Sequence, residues 1–170
     1  MEDPVRIAAT AGIHARRKLG LERETMRIAF TGDPFLLQAT YDRHTKTIYI
    51  EGPWPYLFEV YKERGELHRA IMVLVYYVAH ESLHWLQDIV LGVKEYGEEE
   101  EREAREFGEK FTDWFMAAVL KYDPHEYDVR DIPYIEEEME ELMKWRYGTI
   151  HEPKVEGPVF NALIVLAGRA

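Results

Sequence analysis

The chain has 170 residues, 46% of them hydrophobic, and a formal net charge of −11. This length and composition favour a single domain, residues 1–170, with a buried core rather than a disordered chain. The balance of 32 acidic against 21 basic residues excludes nucleic acid and anionic membrane surfaces as expected partners, because phosphate binding needs a positive surface. The absence of cysteine excludes a disulfide framework and a thiolate metal site.

Two further features concern where the protein works. The N-terminus, MEDPVR, is charged and lacks the apolar segment of a signal peptide, and the longest apolar run, residues 70–79, is too short to cross a bilayer. We therefore expect a soluble, cytoplasmic protein. The chain holds one Asn and two Gln among many Glu, Lys and Arg residues, a composition typical of a thermophile.

In chain order, the first predicted element is a helix over residues 3–19, which ends in basic residues followed by Gly20. Three short strands follow, at residues 26–30, 36–41 and 47–50. The segments between them, residues 31–34 and 42–45, are rich in turn-forming residues. Short strands joined by short turns predict an antiparallel meander.

The rest of the chain is predicted to be mainly helical. The expected helices cover residues 55–64, 66–91, 96–121 and 134–147. The second of these has a middle that is apolar on all sides, which is typical of a buried central helix. Residues 122–133 form a loop rich in Pro and Asp, and residues 159–166 form an apolar tail that must pack on another element. These elements predict the α+β class, with a sheet of about three strands packed on the buried helix.

The buried helix contains the sequence His80-Glu81-Ser-Leu-His84, an H-E-x-x-H motif. Four helical residues advance by about 400°, so the two histidines lie about 40° apart on one face and about 6 Å apart along the axis. Two imidazoles at this spacing can bind one metal ion. Glu81 lies about 100° round from His80, where its carboxylate can reach a water without being a ligand. The motif is typical of zinc hydrolases, with the histidines as ligands and Glu81 as general base.

The alternative explanation is that the motif occurs by chance. The two histidines would then be ordinary core residues of a buried helix. An H-E-x-x-H arises by chance in a chain of this composition with a probability of about a few per cent. The positions around the motif are uncharged, and each buried His or Glu would need a polar partner. Both points favour a metal site over an ordinary core.

A catalytic zinc site needs a third protein ligand that leaves one position open for water. A third histidine, as in the longer H-E-x-x-H-x-x-G-x-x-H motif, is excluded because the chain has Gln87 and Val90 where that motif has Gly and His. A Glu from the following helix is the remaining option. The candidates by residue type are Glu98, Glu99, Glu100, Glu101 and Glu103. A solvent-exposed helix face carries the same residues, so residue type alone does not select one.

Residues Glu101 to Gly108, EREAREFG, resemble the E-x-x-A-x-x-F-[AG] glutamate helix of gluzincin peptidases. Together with the H-E-x-x-H motif and the upstream strand, residues 36–115 resemble a minigluzincin, a small single-domain relative of the thermolysin-type catalytic core. The resemblance implies a zincin-like fold, one zinc ion and a peptide or protein substrate. It also implies that Glu101 is the third zinc ligand, with Ala104 allowing close approach to the helix that carries the histidines.

The resemblance assigns further roles around the ligands. The strand Ile48, Tyr49 and Ile50 corresponds to the edge strand that pairs with an extended peptide substrate in relatives. Larger gluzincins often have an Asp four residues after the ligand Glu, and it orients a histidine. This chain has Arg105 there. Asp88, one helical turn beyond the second histidine, is a candidate substitute, and an exposed Asp without that role is the alternative.

Two downstream features stay open at this stage. The candidates for the stabiliser of a developing oxyanion are Tyr127, Tyr134, Tyr147 and His151. The resemblance also implies a C-terminal segment that folds over the cleft and keeps such an enzyme latent, and residues 149–170 are the candidate. The alternative for this tail is an ordinary last element that completes the core.

These observations predict a zinc metallopeptidase, active or latent, that hydrolyses peptide bonds with a water activated by Glu81. The alternatives are a non-catalytic zinc-binding domain and a helical interaction domain in which the histidines belong to the core. A di-metal carboxylate bundle is disfavoured, because it needs a second E-x-x-H pair that the chain lacks.

Overall fold

A computed structural model describes residues 3–155 and 159–169 of the chain. Within those residues, helices pack against a mixed sheet, which confirms the α+β class. The helices are α1 (Pro4–Lys18), α2 (Trp54–Glu63), α3 (Leu67–Ile89), α4 (Glu98–Trp114) and α5 (Ile132–Tyr147). The strands are β1 (Met26–Thr31), β2 (Gln38–Asp42), β3 (Thr47–Glu51) and β4 (Asn161–Leu166). One short 3-10 turn, Val129–Asp131, leads into α5.

The helices begin and end close to the positions that local sequence signals predicted. The Asp3 side chain accepts a hydrogen bond from the Val5 N–H at 2.8 Å and so caps the start of α1, and Gly20 follows its end with a φ of +71°. The predicted helix over residues 96–121 is present as α4, followed by a π-helical turn over Phe115–Val119.

The sheet differs from the predicted meander in two respects. Its strand order is β2-β3-β1-β4, so β3 lies between β1 and β2, and β1 runs parallel to β3. The tight connection between β2 and β3 is confirmed, since these strands form an antiparallel hairpin. The meander prediction is wrong because alternating apolar residues determine which face of a strand is buried, not which strand lies beside it.

The strand order also corrects the prediction of a substrate-binding edge. Ile48, Tyr49 and Ile50 lie in β3, which is paired with β1 on one side and β2 on the other. Because both sides of β3 are hydrogen-bonded, the prediction that these residues form the edge is wrong. The edge strands of the described sheet are β2 and β4.

The apolar C-terminal tail supplies the fourth strand. Residues 161–166 pair antiparallel with β1 and pack on α1, at the opposite edge of the sheet from β2. This is the alternative in which the tail completes the core. Residues 149–155 turn back onto the end of α5, where the Lys154 N–H donates to the Tyr147 carbonyl at 2.8 Å. Residues 156–158 and 170 of the tail lie outside the described residues.

Helix α3 lies at the centre of the fold. It packs against α1, α2, α4 and α5 and against β2 and β3, and its apolar run is buried, as predicted. Buried side chains from each of these helices and from β1, β3 and β4 form one hydrophobic cluster. None of the described helices is long and apolar enough to span a bilayer. The cytoplasmic location stays a prediction.

The contact between α3 and α4 is close because α4 presents small residues there. Ala104 is fully buried, and a Cβ added to Gly108 would lie 2.7 Å from Cε2 of Tyr76 on α3. The hydroxyl of Tyr76 in turn lies 3.3 Å from Nδ1 of His80. Gly108 therefore sets the distance at which α4 approaches the face of α3 that carries the histidines.

We expect Gly108→Ala to destabilise the protein by about 1–3 kcal/mol, because the new methyl group overlaps an aromatic ring enclosed between two helices. At an open position in a helix the same substitution stabilises by up to about 1 kcal/mol, so the sign is diagnostic. Urea denaturation measures the effect. Lys110→Ala, on the exposed face of α4, is the control and should change stability by less than about 0.5 kcal/mol. Equal or higher stability of Gly108→Ala would contradict this explanation of the close approach.

Candidate metal centre

Three side chains from α3 and α4 meet at one point. Nε2 of His80 lies 3.4 Å from Oε2 of Glu101, and Nε2 of His84 lies 3.2 Å from Oε1 of the same carboxylate. The three possible ligand atoms all lie within 4.8 Å of one another. His80, His84 and Glu101 are therefore brought together as predicted, in an arrangement that could hold a metal ion.

The structure selects Glu101 from the acidic first turn of α4. The Glu100 carboxylate accepts a hydrogen bond from the Gly97 N–H at 3.2 Å and so caps its own helix. The Glu99 carboxylate pairs with Arg102. Glu101 begins the small-residue face of α4, three positions before Ala104, and this face is the one that packs on α3. Its carboxylate therefore reaches the histidines while its neighbours point away.

The second histidine is oriented by a residue that the sequence reasoning missed. Nδ1 of His84 lies 2.8 Å from Oε1 of Gln87, and Nε2 of Gln87 donates to the carbonyl oxygen of Glu100 at 3.1 Å. Because the Gln87 amide donates from its nitrogen to α4, its oxygen must accept the proton of His84 Nδ1. The lone pair of His84 is thereby left on Nε2, the atom that faces Glu101.

Two tyrosines complete the surroundings of the histidines. The ring of Tyr96 lies on the His84 ring with 4.1 Å between centroids, and its hydroxyl donates to the His84 carbonyl at 3.2 Å. Tyr76 contacts His80 Nδ1, as described above, from one turn earlier on α3. Tyr76 lies four residues before His80, a spacing that places both on one helix face but is equally typical of core packing, whereas Tyr96 lies in the connection before α4, where no sequence pattern indicated it.

Asp88 has a different role from the one predicted. Its carboxylate accepts hydrogen bonds from the Tyr41 hydroxyl at 2.6 Å and from the Lys46 ammonium at 2.7 Å. Burial alone would raise the pKa of Asp88, but these two hydrogen bonds and the positive charges of Lys46 and Arg43 together outweigh burial and lower it. Asp88 therefore joins the β2–β3 hairpin to the end of α3, and the histidine is oriented from the preceding position, by Gln87.

Glu81 lies beside the three candidate ligands in a buried position. Its Oε2 is 3.8 Å from Nε2 of His80, and the residue is 6% exposed. Burial, followed by the negative charge of Glu101, raises the pKa of Glu81 to about 8. For His80, burial and the neighbouring His84 lower the pKa to about 4, against a smaller opposing effect of Glu101.

The electrostatics of the cluster favour a cation. The hydrogen bond to Gln87 leaves a lone pair on Nε2 of His84, and the Glu101 carboxylate offers only acceptors, so the two atoms that face one another at 3.2 Å are both acceptors. A positive ion or a proton must lie between such atoms to make their proximity favourable. The side chain of Glu101 is 41% exposed and lines a surface cavity of about 760 Å³, together with Tyr96 and Arg105. Glu101 is therefore reached from solvent, whereas the side chains of His80 and His84 are 15% and 4% exposed.

Two of the four residues predicted as possible oxyanion stabilisers make contacts with other parts of the fold. The Tyr127 hydroxyl donates to the carbonyl of Asp113, and the Tyr147 ring packs edge-on against Tyr56. Tyr134 is exposed at the start of α5, and His151 is exposed in the tail. The described contacts of these four residues assign the role to none of them.

Comparison of the chain with protein-family models, with curated proteins and with solved structures finds no match. The function is therefore inferred from the geometry of the site.

We expect Gln87→Met to weaken metal binding by about 10–100-fold, because the new side chain fills the space but cannot accept the proton of His84 Nδ1. Asp88→Asn is the matched control one position along the helix. Its amide oxygen still accepts from Tyr41, so metal affinity should stay within about twofold of the unmodified protein. Competition with a chromogenic chelator measures both affinities. A larger loss for Asp88→Asn than for Gln87→Met would restore Asp88 as the orienting residue.

The raised pKa of Glu81 predicts a pH dependence of stability in the metal-free protein. Glu81 holds its proton in the folded state up to about pH 8, whereas the unfolded chain loses it near the ordinary value of 4.5. The stability that Glu81 contributes is therefore fully present below pH 4.5 and is lost as the pH rises through 8. Glu81→Gln, which cannot ionise, should gain stability relative to the unmodified protein across this interval.

Melting temperatures of the two chelator-treated proteins, compared at each pH, isolate the effect of Glu81. The lowered pKa of His80 acts in the opposite direction, because its contribution is lost as the pH falls from 6.5 to about 4. That effect is common to both proteins and cancels in the difference. A difference that is independent of pH would show that the Glu81 carboxyl is not held protonated by its surroundings.

Proposed function

We propose that the chain is a zinc-dependent metallopeptidase of gluzincin type, built on a zincin-like catalytic core. The observation that carries this proposal is the convergence of His80, His84 and Glu101 beside a buried carboxylate, Glu81. Two imidazoles and one carboxylate are a ligand set of catalytic zinc sites that keep one position open. The same constellation matches the minigluzincin pattern of the sequence.

The distances between the donor atoms support zinc as the ion. Zinc bonds of about 2.0–2.2 Å in tetrahedral geometry place neighbouring donor atoms about 3.3–3.6 Å apart. Nε2 of His80 lies 3.4 Å from one Glu101 oxygen and Nε2 of His84 lies 3.2 Å from the other, and the three candidate ligand atoms all lie within 4.8 Å of one another, so small side-chain shifts would bring them to that range. Magnesium and calcium are disfavoured, because those ions prefer ligand sets made of oxygen atoms. Gln87 adds support, since it leaves the ligating lone pair of His84 on the nitrogen that faces the site.

Zinc held by these three residues supplies a Lewis acid that polarises a carbonyl group and lowers the pKa of a water. Glu81 takes a proton from the attacking water and passes it to the leaving amine. Its environment suits both transfers, because burial brings the pKa of Glu81 to about 8 and a positive ion nearby lowers it again towards neutral. The buried position also holds the carboxylate in place next to His80.

A peptide substrate is supported by the sheet edge beside the site. Strand β2 is paired on one side only, and its Tyr41 bonds to Asp88, one helical turn beyond His84. An extended peptide can add to such an edge through main-chain hydrogen bonds, in the way proposed above for β3. Gln38 and Thr40 are exposed along this strand. Strand β2 therefore replaces Ile48–Ile50 as the proposed substrate strand.

We expect protein purified without a histidine tag to contain about one zinc ion per chain and to hydrolyse unstructured peptides. Glu81→Gln should retain the zinc and lose at least about 100-fold in rate, because it removes the proton acceptor without removing a ligand. Glu101→Ala should lose zinc, whereas Glu103→Ala, two residues along α4, should keep it. Elemental analysis and a fluorogenic peptide assay measure these outcomes.

Less than about 0.2 zinc per chain would contradict the metal site, since such sites normally hold their ion. If the unmodified protein binds zinc but hydrolyses no peptide of a broad library, the peptidase proposal is contradicted and the non-catalytic zinc-binding domain is the remaining alternative. Full activity of Glu81→Gln would contradict the role of Glu81 even if zinc is present.

A further inference from the structure

The two edges of the sheet carry different chemistry. Strand β2 includes Asp42 and is followed by a turn with Arg43 and Lys46, so its edge is bordered by charge. Strand β4 has the sequence NALIVL, and residues 159–169 include a single charged residue, Arg169. Charged residues protect an edge strand from pairing with other chains. Strand β4 lacks this protection, although it is an edge of the described sheet.

The outer face of β4 is apolar and exposed. Leu163 is 61% exposed and Val165 is 48% exposed, whereas Ile164, between them, is buried against the core. On the same face of β1, Ala29 is paired with Leu163 and Arg27 with Val165. An exposed, apolar edge strand of this kind is typical of a surface that pairs with another protein chain.

The strand is also held rigidly in an extended form. It pairs with β1 over its full length, from Asn161 to Leu166. At its end, the guanidinium of the buried residue Arg16 donates to the carbonyl oxygens of Leu166 and Ala167, at 2.8 and 3.0 Å. A strand that is already ordered loses little conformational entropy when another strand pairs with it.

We propose that β4 is a dimerisation strand, and that its partner is β4 of a second copy of this chain. The two strands pair antiparallel about a twofold axis perpendicular to the sheet, so that the sheets of both copies become continuous. This interface is separate from the metal centre and does not depend on the proposed peptidase function.

Symmetry favours a second copy as the partner. In an antiparallel pair of identical strands, the twofold axis relates each N–H···O=C hydrogen bond between the free edges of the two strands to a second, equivalent one. Directly opposed residues lie on the same face of a sheet, so a pair centred on Leu163 or Ile164 gathers Leu163 and Val165 of both copies into one apolar patch.

Charge favours the same arrangement. The chain carries a net charge of −11, so two copies repel one another across most of their surfaces. Residues 159–169 contain no acidic side chain, and the neighbouring exposed residue on β1 is Arg27. This edge is therefore a place where two acidic copies approach with little repulsion. At the opposite edge, β2 with its charged turn stays free for the proposed substrate.

The test is the mass of the protein in solution, by light scattering after size-exclusion chromatography at micromolar concentration. The unmodified chain of 20.1 kDa should elute at twice that mass. Leu163→Lys should raise the dissociation constant of the dimer by about tenfold or more, because it places two like charges in the apolar patch of the interface. The matched control is Thr40→Lys, which puts the same charge on the exposed side of the β2 edge and should leave the dimer intact.

Leu163→Thr covers the case in which lysine disturbs the fold, since it keeps β propensity and removes apolar area. It should also weaken the dimer, with an unchanged circular dichroism spectrum. Amide hydrogen exchange of residues 161–166 should slow as the protein concentration rises. A monomeric unmodified chain, a folded Leu163→Lys protein that is still fully dimeric, or a dimer lost in Thr40→Lys instead would overturn the proposal.

Discussion

Glu101 belongs to α4 and the two histidines belong to α3, so these three side chains meet because the two helices pack closely along Ala104 and Gly108. The close approach leaves room for the Tyr76 ring, whose hydroxyl contacts His80. Larger residues on this face of α4 would move Glu101 away from the imidazoles, and the candidate ligands would separate. Two small residues, neither of which touches the metal position, thus maintain the geometry of the site.

The same packing buries ionisable side chains, and burial disfavours their charged forms. Burial raises the pKa of Glu81 to about 8 and lowers that of His80 to about 4, so without an ion both groups favour their neutral forms. A metal ion bound at this position would reverse this for Glu81, because a nearby positive charge stabilises the carboxylate. Gln87 adds a hydrogen-bond chain from His84 to the backbone of α4. This hydrogen-bond chain therefore joins α3 to α4 in addition to the packing of their side chains.

Part of the candidate metal centre could be predicted from the sequence. His80 and His84 are separated by about one helical turn, and that periodicity places them on one face, with Glu81 about 100° to one side, whatever surrounds the helix. Residue type did not distinguish Glu101 from the other acidic residues of α4; its selection came from the resemblance of residues 101–108 to the gluzincin glutamate helix. The sequence did not identify Gln87 as the residue that orients His84, although it is three positions from that histidine. Residue type did not show whether Gln87 or Asp88 would face α4, because both positions lie near the same side of α3.

The sheet and the surroundings of the site depended on contacts between residues distant in the chain. Strand β3 was expected at an edge, but it is enclosed by β1, which runs parallel to it, and by β2. β4 arrives from residues 161–166 to pair with β1, more than 120 positions away, and no local pattern encodes such a partner. Helix periodicity is set by hydrogen bonds within the helix, so sequence is enough to recognise it. A strand forms its hydrogen bonds with other segments, so its neighbours, and with them the free edges of the sheet, are decided only when the whole chain packs.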